Sequence, residues 1–453
     1  MMEIIKRNCK YILLFIFFFF CLQFFYVTFN GDLIYNFGFS YAVARGEIPY
    51  KDFNMIIPPF GAFFYAIPFL LFGSNLIVIN LFQAFLLCVL FKFLFKLLDK
   101  KAFLFLPIIS MFFPIPFSTS LFAGYNFLLL LELFILLYLE KYKKSDYLIG
   151  IILGIAILTK QTVGFCLLLP SLYYFFRDRR KIYKRLAGVF CPCLVFLIYL
   201  LVSGCLYQFI DMCFLGMFDF TNSNGTIMDY NFIIFLVELI FILYSIYKER
   251  KNINNYYILA FLMICVPLFD YYHVALSLLG VLFLIIDKIK VGYSSKNLGF
   301  NSFLLACTFP FVWVMFWYDF NLPHLSNFDH FNLMPMSKVV EDETKNIDKY
   351  IEDNKDKNII ILGANAYFLK INNDMNITYY DLLNYGNHGY NGTEKLIKMI
   401  KKEEKPIFII NIKEYEDNSS DRQQINKVVM KYVINNYDKI KVIGEYNIYS
   451  NTY

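Results

Sequence analysis

The chain is expected to fold as an α-helical, many-span membrane protein that ends in a small α/β domain outside the membrane. Three observations lead there. Hydrophobic residues make up 58% of its 453 residues and Phe alone occurs 54 times, which is too apolar for a soluble protein. The apolar runs approach the roughly 20 residues that a helix needs to cross a hydrocarbon core of about 30 Å. After residue 317 the composition turns abruptly polar, and short apolar runs alternate with charged helical stretches.

Hydropathy predicts about eleven spans, at 11–29, 75–97, 102–118, 123–139, 147–160, 162–176, 187–206, 231–247, 256–269, 273–287 and 299–317. The first run is too long for the apolar core of a cleaved signal and no small-x-small site follows it, so it is expected to remain as a span. Charges in the short loops set the orientation. With the N-terminus in the cytoplasm, Lys6, Arg7, Lys10, Lys96, Lys100, Lys101, Arg177, Arg179, Arg180, Lys181, Lys184, Arg185, Lys248, Arg250 and Lys288 all fall inside. Only Arg45, Lys51 and Lys160 fall outside. An odd number of spans then leaves the C-terminus extracytoplasmic, on a multi-pass protein of the cell membrane. The net charge of +6 therefore reports topology and contact with anionic membrane lipids, not nucleic acid.

Residues 1–318 form the membrane domain in this reading, with residues 30–74 as its most informative segment. Leu33–Arg45 is expected to lie along the interface as an amphipathic helix, with Ile34, Phe37, Tyr41 and Ala44 on one side. Gly46 ends it, Pro49, Pro58 and Pro59 stiffen the chain, and Phe60–Phe72 is too short to span. Asp32 stands at the end of an apolar span, where an ionisable group is costly unless it is used. Asp52, between Lys51 and Phe53, fits a solvated loop as well as a site.

Further along, Lys160, Gln161 and His273 mark the outer ends of short spans. Lys160 suits a snorkelling lysine as well as a phosphate ligand, and His273, one of four His, suits an interfacial hydrogen bond as well as a ligand contact. Glu132 and Glu238 lie mid-span and are expected to hydrogen-bond within the bundle. Tyr207–Tyr230 is a candidate lid. Cys191-Pro192-Cys193 is one residue short of CxxC and points to packing. All ten cysteines precede residue 318, so the external part carries no disulfide framework.

Residues 319–453 are expected to form the extracytoplasmic α/β domain. Strands are predicted at Asn358–Leu362, Pro406–Asn411 and Lys439–Tyr449, and helices at Met336–Asp353, Gly392–Lys402 and Asp421–Asn436. The segment has no glycine-rich phosphate loop, nucleophile elbow or HExxH.

The run Asp32-x-x-Tyr35, Ala44-x-Gly46-x-x-Pro49-Tyr50-x-Asp52-Phe53, Pro58-Pro59 and Phe72-Gly73 resembles the GT-C superfamily of integral-membrane glycosyltransferases. Relatives there include the dolichyl-phosphate-mannose protein mannosyltransferases and the lipid A aminoarabinose transferases. Leu158-Thr159-Lys160-Gln161-Thr162 and Asp270-Tyr271-Tyr272-His273 extend the resemblance over about residues 11–317. It implies inverting hexosyl or pentosyl transfer from a polyprenyl-phosphate sugar to a hydroxyl of a glycan, lipid or protein acceptor. Asp32 would act as the base, and Asp52, Tyr35, Arg45, Lys160, Gln161, Asp270 and His273 would bind substrate. Leu33 stands where many relatives carry a second acid, and Leu268 and Phe269 where others carry Arg.

The same chemistry follows from first principles. Displacement at an anomeric carbon needs a base on one side and partners for a phosphate leaving group on the other. No cofactor is required, and a divalent cation is left open. The rival classes are a transporter or flippase and a polymerase of lipid-linked envelope saccharides. A transporter would usually show internal repeats, and none is visible here.

Overall fold

The computed structural model describes residues 2–24, 31–113, 124–175, 177–223, 230–266, 269–289, 297–317, 324–417 and 425–451. The N-terminal part begins with α1 (Met2–Phe24), α2 (Gly31–Ala44), α3 (Phe60–Phe72), α4 (Leu76–Leu98) and α5 (Phe105–Phe112). It continues with α6 (Gly124–Lys141), α7 (Asp146–Thr159), α8 (Gln161–Leu168), α9 (Arg179–Ser203), α10 (Leu206–Ile210) and α11 (Gly216–Ser223). α12 (Tyr230–Lys248), α13 (Ile253–Phe261), α14 (Tyr271–Lys288) and α15 (Leu298–Trp317) complete the bundle. A helix thus lies within each of the expected spans, of which residues 25–29, 114–118, 123, 176 and 267–268 lie outside the described residues.

Among the described residues, four helical runs are long and apolar enough to cross a membrane by length and composition: Leu76–Phe112, Arg179–Ser203, Tyr230–Lys248 and Tyr271–Lys288. Two of the others are broken locally. α8 passes into a 3₁₀ stretch at Leu169–Tyr174 and α13 into another at Leu262–Cys265. α9 and α12 expose large apolar side chains, Phe190, Val195, Val202, Ile233, Val237 and Ile240 among them, as helices facing hydrocarbon do.

Close approach within the bundle depends on glycine. A Cβ on Gly150 of α7 would stand 2.1 Å from the Arg185 carbonyl oxygen of α9, and one on Gly188 would stand 2.3 Å from that of Tyr147. Such small-residue faces let two backbones meet where lipid gives no hydrophobic drive. The contact buries Arg185, which is 1% exposed. Its guanidinium lies 2.7 Å from Glu140 Oε1 and donates to Asp146 Oδ1 at 3.0 Å, while the Tyr257 hydroxyl donates to Glu140 Oε1 at 3.0 Å.

The C-terminal sheet unit follows, with β1 (His324–Leu325), β2 (Pro335–Met336), α16 (Lys338–Glu352), β3 (Ile359–Leu362), α17 (Ala366–Asn372), α18 (Gly392–Ile400), β4 (Ile407–Asn411), α19 (Ile412–Glu416), α20 (Lys427–Asn436), β5 (Asp438–Ile443) and β6 (Tyr446–Ser450). Ser337 and Asn426 accept from the third amides of α16 and α20 and so start those helices. The four-stranded sheet runs β3-β4-β6-β5, with β3 and β4 parallel and the remaining pairs antiparallel. Where one strand was expected over Lys439–Tyr449, a hairpin forms, because Gly444 at φ +53° reverses the chain. Residues 421–424, at the start of the third expected helix, lie outside the described residues.

Alternation divides the sheet between two cores. Ile360, Leu362, Phe408 and Ile410 pack toward α18 and α20. Ile359, Ile361, Ile407, Ile409 and Ile448 belong to a second core that also contains Ile34, Phe37, Phe39 and Tyr41 of α2. α2 is therefore no amphipathic helix on an interface. Leu33, Ile34, Phe37, Phe39, Tyr41 and Ala42 are all buried, and a helix apolar all round belongs inside. Phe37 lies 4.7 Å from Phe69 of α3 and 5.0 Å from Phe331 of the sheet unit, ring centre to ring centre. Gly38 admits the Tyr367 ring, since a Cβ would come within 1.9 Å of it.

The seam also has polar ties. Arg45 donates to Asn376 Oδ1 at 3.1 Å, Gln23 to the Leu333 carbonyl at 3.0 Å and Asn75 to the Asp329 carbonyl at 2.8 Å. Beside them Lys370 and Asp381 form a buried pair at 3.0 Å. Burial pushes the Glu47 carboxyl up to about 7, against the pull of the Ile377 amide, Arg45 and Lys370.

Two tests follow from this packing. Gly150→Val should lower the thermal unfolding midpoint, overpacking costing about 1–3 kcal/mol or more. Gly280→Ala, whose methyl meets only side chains from 3.4 Å outward, should change the midpoint little. The Glu47 carboxyl, raised from 4.5, binds a proton in the folded chain that the unfolded chain releases. Its stabilising contribution is complete below about pH 4.5 and is lost as the pH rises through about 7. Hydrogen-exchange protection of residues 41–53 should fall between about pH 5 and about pH 8, and Glu47→Gln should flatten that change.

Candidate active site

α7 and α8 are separated by a single residue in extended conformation, Lys160, at φ −153° and ψ 111°. Three consecutive side chains leave this break toward different elements. The Thr159 hydroxyl donates to Glu132 Oε1 on α6 at 2.7 Å. The Lys160 ammonium lies 3.0 Å from His273 Nε2 and 5.6 Å from the centre of the Tyr125 ring. Gln161 Nε2 donates to the Cys213 carbonyl at 2.8 Å and to the Ile56 carbonyl at 3.2 Å.

His273 belongs to the first turn of α14, and Asp270 is the N-cap of that helix. One Asp270 oxygen accepts from the His273 amide at 3.0 Å, and both oxygens stand 2.8 Å from Nδ1. An ammonium can donate only to a lone pair, so Nε2 is the acceptor and the ring proton sits on Nδ1, directed at Asp270. Burial works to raise the Asp270 carboxyl, yet His273 and Lys160 outweigh it and hold the group below its ordinary range. The result is a carboxylate, an imidazole and an ammonium in line, with Lys160 held in place. One turn further along α14, the Ser277 hydroxyl donates to Glu238.

α2 meets this group from the side of α6. Gly124, at φ +55°, opens α6, and a Cβ there would stand 2.0 Å from Asn36 Oδ1. Asn36 thus lies against the residue preceding Tyr125. Positions 32 and 36 share a face of α2 by helical spacing, with Asp32 in the first turn. The Asp32 side chain lies outside the described residues.

The other expected substrate residues are held elsewhere. Asp52 Oδ2 accepts from the Ile48 amide at 2.6 Å and closes the turn in which Tyr50 adopts φ +69°. That turn is buttressed by the Tyr50 hydroxyl, which donates to the Ile57 carbonyl at 2.6 Å. Tyr35 meets the Tyr367 ring edge-on at 5.1 Å, and Arg45 is engaged with Tyr41 and Asn376. Lys160, His273 and Asp270 are therefore brought together, while Gln161 turns to the first loop and the lid, and Tyr35 and Arg45 face the sheet unit.

The expected lid folds as α10, a π-helical stretch at Asp211–Leu215, and α11; residues 224–229 lie outside the described residues. Asp211 accepts from the Tyr390 amide at 3.1 Å and binds Lys395, and Asp219 accepts from the Asn391 amide at 2.7 Å. Sequence reasoning passed over Asn36, Tyr125, Thr159 and Asp211 as site residues. Asn36 had a signal in its spacing from Asp32; the others are joined to the site only by the fold. Among the described residues, no group of three His, Cys, Asp or Glu side chains is placed to hold a metal ion.

The helical bundle and the sheet unit together have the fold of solved structures of ArnT. Residues 56–229, which include that break, match the model of Glycosyltransferase family 87. Two crystal structures of ArnT from Cupriavidus metallidurans are similar over nearly their whole length. The apo state aligns with a TM-score of 0.58 at 10% identity, covering 98% of each chain. The state bound to undecaprenyl phosphate aligns at 0.57 and 11% identity, covering 99% of this chain and 98% of the other. No protein of curated function matches in sequence.

Asp270→Asn and His273→Ala should each lower the thermal unfolding midpoint, by the loss of a charge-assisted hydrogen bond worth about 1.5–3 kcal/mol. The double variant should fall short of the sum, because both residues belong to one connected chain.

Proposed function

We propose that this chain is an inverting membrane glycosyltransferase that moves a hexosyl or pentosyl group from a polyprenyl-phosphate donor to an acceptor hydroxyl. The acceptor belongs to a cell-envelope glycan, lipid or protein. The observation that carries the reading is the Lys160 ammonium, fixed on the His273–Asp270 pair at the helix break. A preorganised cation of this kind suits the phosphate of a leaving group, where negative charge grows as the bond breaks. The family 87 match over the break and the similar ArnT structure bound to undecaprenyl phosphate support a polyprenyl-linked donor.

Asp32 is the general base in this proposal, on the face of α2 that carries Asn36. It takes the proton of the acceptor hydroxyl while that oxygen forms a bond to the anomeric carbon. The bond from that carbon to the phosphate oxygen breaks, and its electron pair leaves with the phosphate as polyprenyl phosphate beside Lys160. Gln161 positions the first loop and the lid through Ile56 and Cys213, and Asp52 shapes the turn that follows α2. Tyr35 and Arg45 act through the contact of α2 with the sheet unit. Residues 1–318 form the membrane domain and 319–453 the external domain, with the N-terminus cytoplasmic as the loop charges favour.

The test is release of polyprenyl phosphate from a panel of polyprenyl-phosphate sugars by the full chain in lipid discs, with crude envelope acceptor and with and without a chelator. Asp32→Asn should cut turnover by about 10²- to 10⁴-fold, the usual share of a general base. Lys160→Met should cut kcat by about 10²- to 10³-fold, as expected for a lost electrostatic partner of the transition state. Absence of release from every donor by folded wild type would reject the enzyme in favour of a transporter or a scaffold.

A further inference from the structure

A cavity of about 220 Å³ opens where the lid meets the sheet unit, lined by Asp219, Tyr385, Gly386, His388, Gly392, Thr393 and Asn426. It is walled by residues tied to both sides of the seam. Asp219 of α11 accepts from the Asn391 amide, and Asn54 of the first loop donates to the carbonyls of Leu382 and Asn387 at 3.1 and 3.2 Å, next to His388. The cavity therefore takes its shape from the same two loops that Gln161 holds by their carbonyls.

The lining has a definite chemistry. His388 Nε2 lies 2.7 Å from the Tyr379 carbonyl and 3.1 Å from Asn54 Nδ2. Both protons of the Asn54 amide are directed to carbonyls, so the proton between His388 and Tyr379 belongs to Nε2. Nδ1 is then a hydrogen-bond acceptor on a neutral ring, and burial, which pushes the imidazole down to about 4, keeps it so at neutral pH. Asp219 brings a second acceptor. Tyr385 and Thr393 bring hydroxyls, and Asn426 fixes the Thr393 oxygen by a donated bond of 2.7 Å. Among the described residues none that lines the cavity is a cation, and Lys395 close by is bound to Asp211. An anionic group gains nothing in such surroundings. A neutral molecule that presents several hydroxyls meets donors, acceptors and one aromatic ring together. The volume lies below the ~300–1,000 Å³ of sites for drug-sized ligands, which limits the occupant to a unit about one sugar ring in size.

We propose that this cavity binds one neutral saccharide unit of the acceptor. Its role as an acceptor site rests on the glycosyltransferase reading above; its affinity for a neutral sugar does not. The cavity holds the acceptor by a unit other than the reacting one and so selects polymers or glycolipids that carry that unit.

Saturation-transfer NMR on the full chain in lipid discs tests it, with the methyl glycosides of glucose, galactose, mannose, N-acetylglucosamine and arabinofuranose as probes and inorganic phosphate as competitor. At least one glycoside should receive magnetisation and be unaffected by phosphate. Tyr385→Ala should weaken that binding about tenfold, the change that accompanies a contact of about 1.4 kcal/mol. Thr393→Leu should abolish it by filling the space. Both variants should unfold in a single cooperative thermal transition as the wild type does, which shows that they fold. Absence of binding by every glycoside, binding that survives both variants, or displacement by phosphate would each overturn the proposal. Saccharide binding without any donor cleavage would uphold the cavity and reject the catalytic reading, so the two fail separately.

Discussion

Placement of α2 between two apolar bodies is the constraint on which the rest of the site depends. Phe37 rests on both Phe69 of α3 and Phe331 of the sheet unit, and Phe39 on Tyr367. Each large apolar side chain buried there is worth about 1.5–3 kcal/mol. The helix is far too short to hold itself in water, and helical stability of such a segment comes from what packs on it. The position of its first turn, and so of Asp32, is therefore set by the sheet unit as much as by the bundle. Glu47, at the far end of the same seam, is the place where that packing meets a titratable group.

The break between α7 and α8 supplies the second half of the site. One extended residue in the middle of an apolar hairpin would leave main-chain groups without partners, and in a membrane-embedded bundle each such group is expensive. Here the Lys160 amide reaches the Ala156 carbonyl at 3.0 Å and the Lys160 carbonyl accepts from Gly164 at 2.9 Å, so the chain turns with its hydrogen bonds kept. A Cβ on Gly164 would stand 2.3 Å from Ile157, which shows how tightly α8 folds back on α7. The reward is that Thr159, Lys160 and Gln161 project to three different elements from one point. A continuous helix would have spread consecutive residues by about 100° each and given no such junction.

The helices were legible from the sequence because a long apolar run admits few alternatives, whereas the caps Ser337 and Asn426 start α16 and α20 at Lys338 and Lys427, not at the expected Met336 and Asp421. Asp270 and His273 were singled out together as the ends of one four-residue run in the resemblance. The meeting of Lys160 with His273 was not, since 113 residues separate them and no local pattern encodes a contact between helices. The surroundings of α2 were misjudged for a related reason. Its residues are apolar at nearly every position, and periodicity does not say what covers a helix. The hairpin at Gly444 was hidden by strand-like residues on both sides, where a single glycine outweighs its neighbours.

Most of the ties across the seams share one property. Gln161 holds the carbonyls of Ile56 and Cys213, Asn54 those of Leu382 and Asn387, Gln23 that of Leu333, and Asn75 that of Asp329. Every accepting group belongs to the main chain, which each residue type carries alike. The accepting loops are thus free to change their side chains without slackening the frame. Such an architecture separates geometry from identity: the scaffold can keep its shape while the surfaces it carries are rewritten, as two chains of one fold with a tenth of their residues in common illustrate.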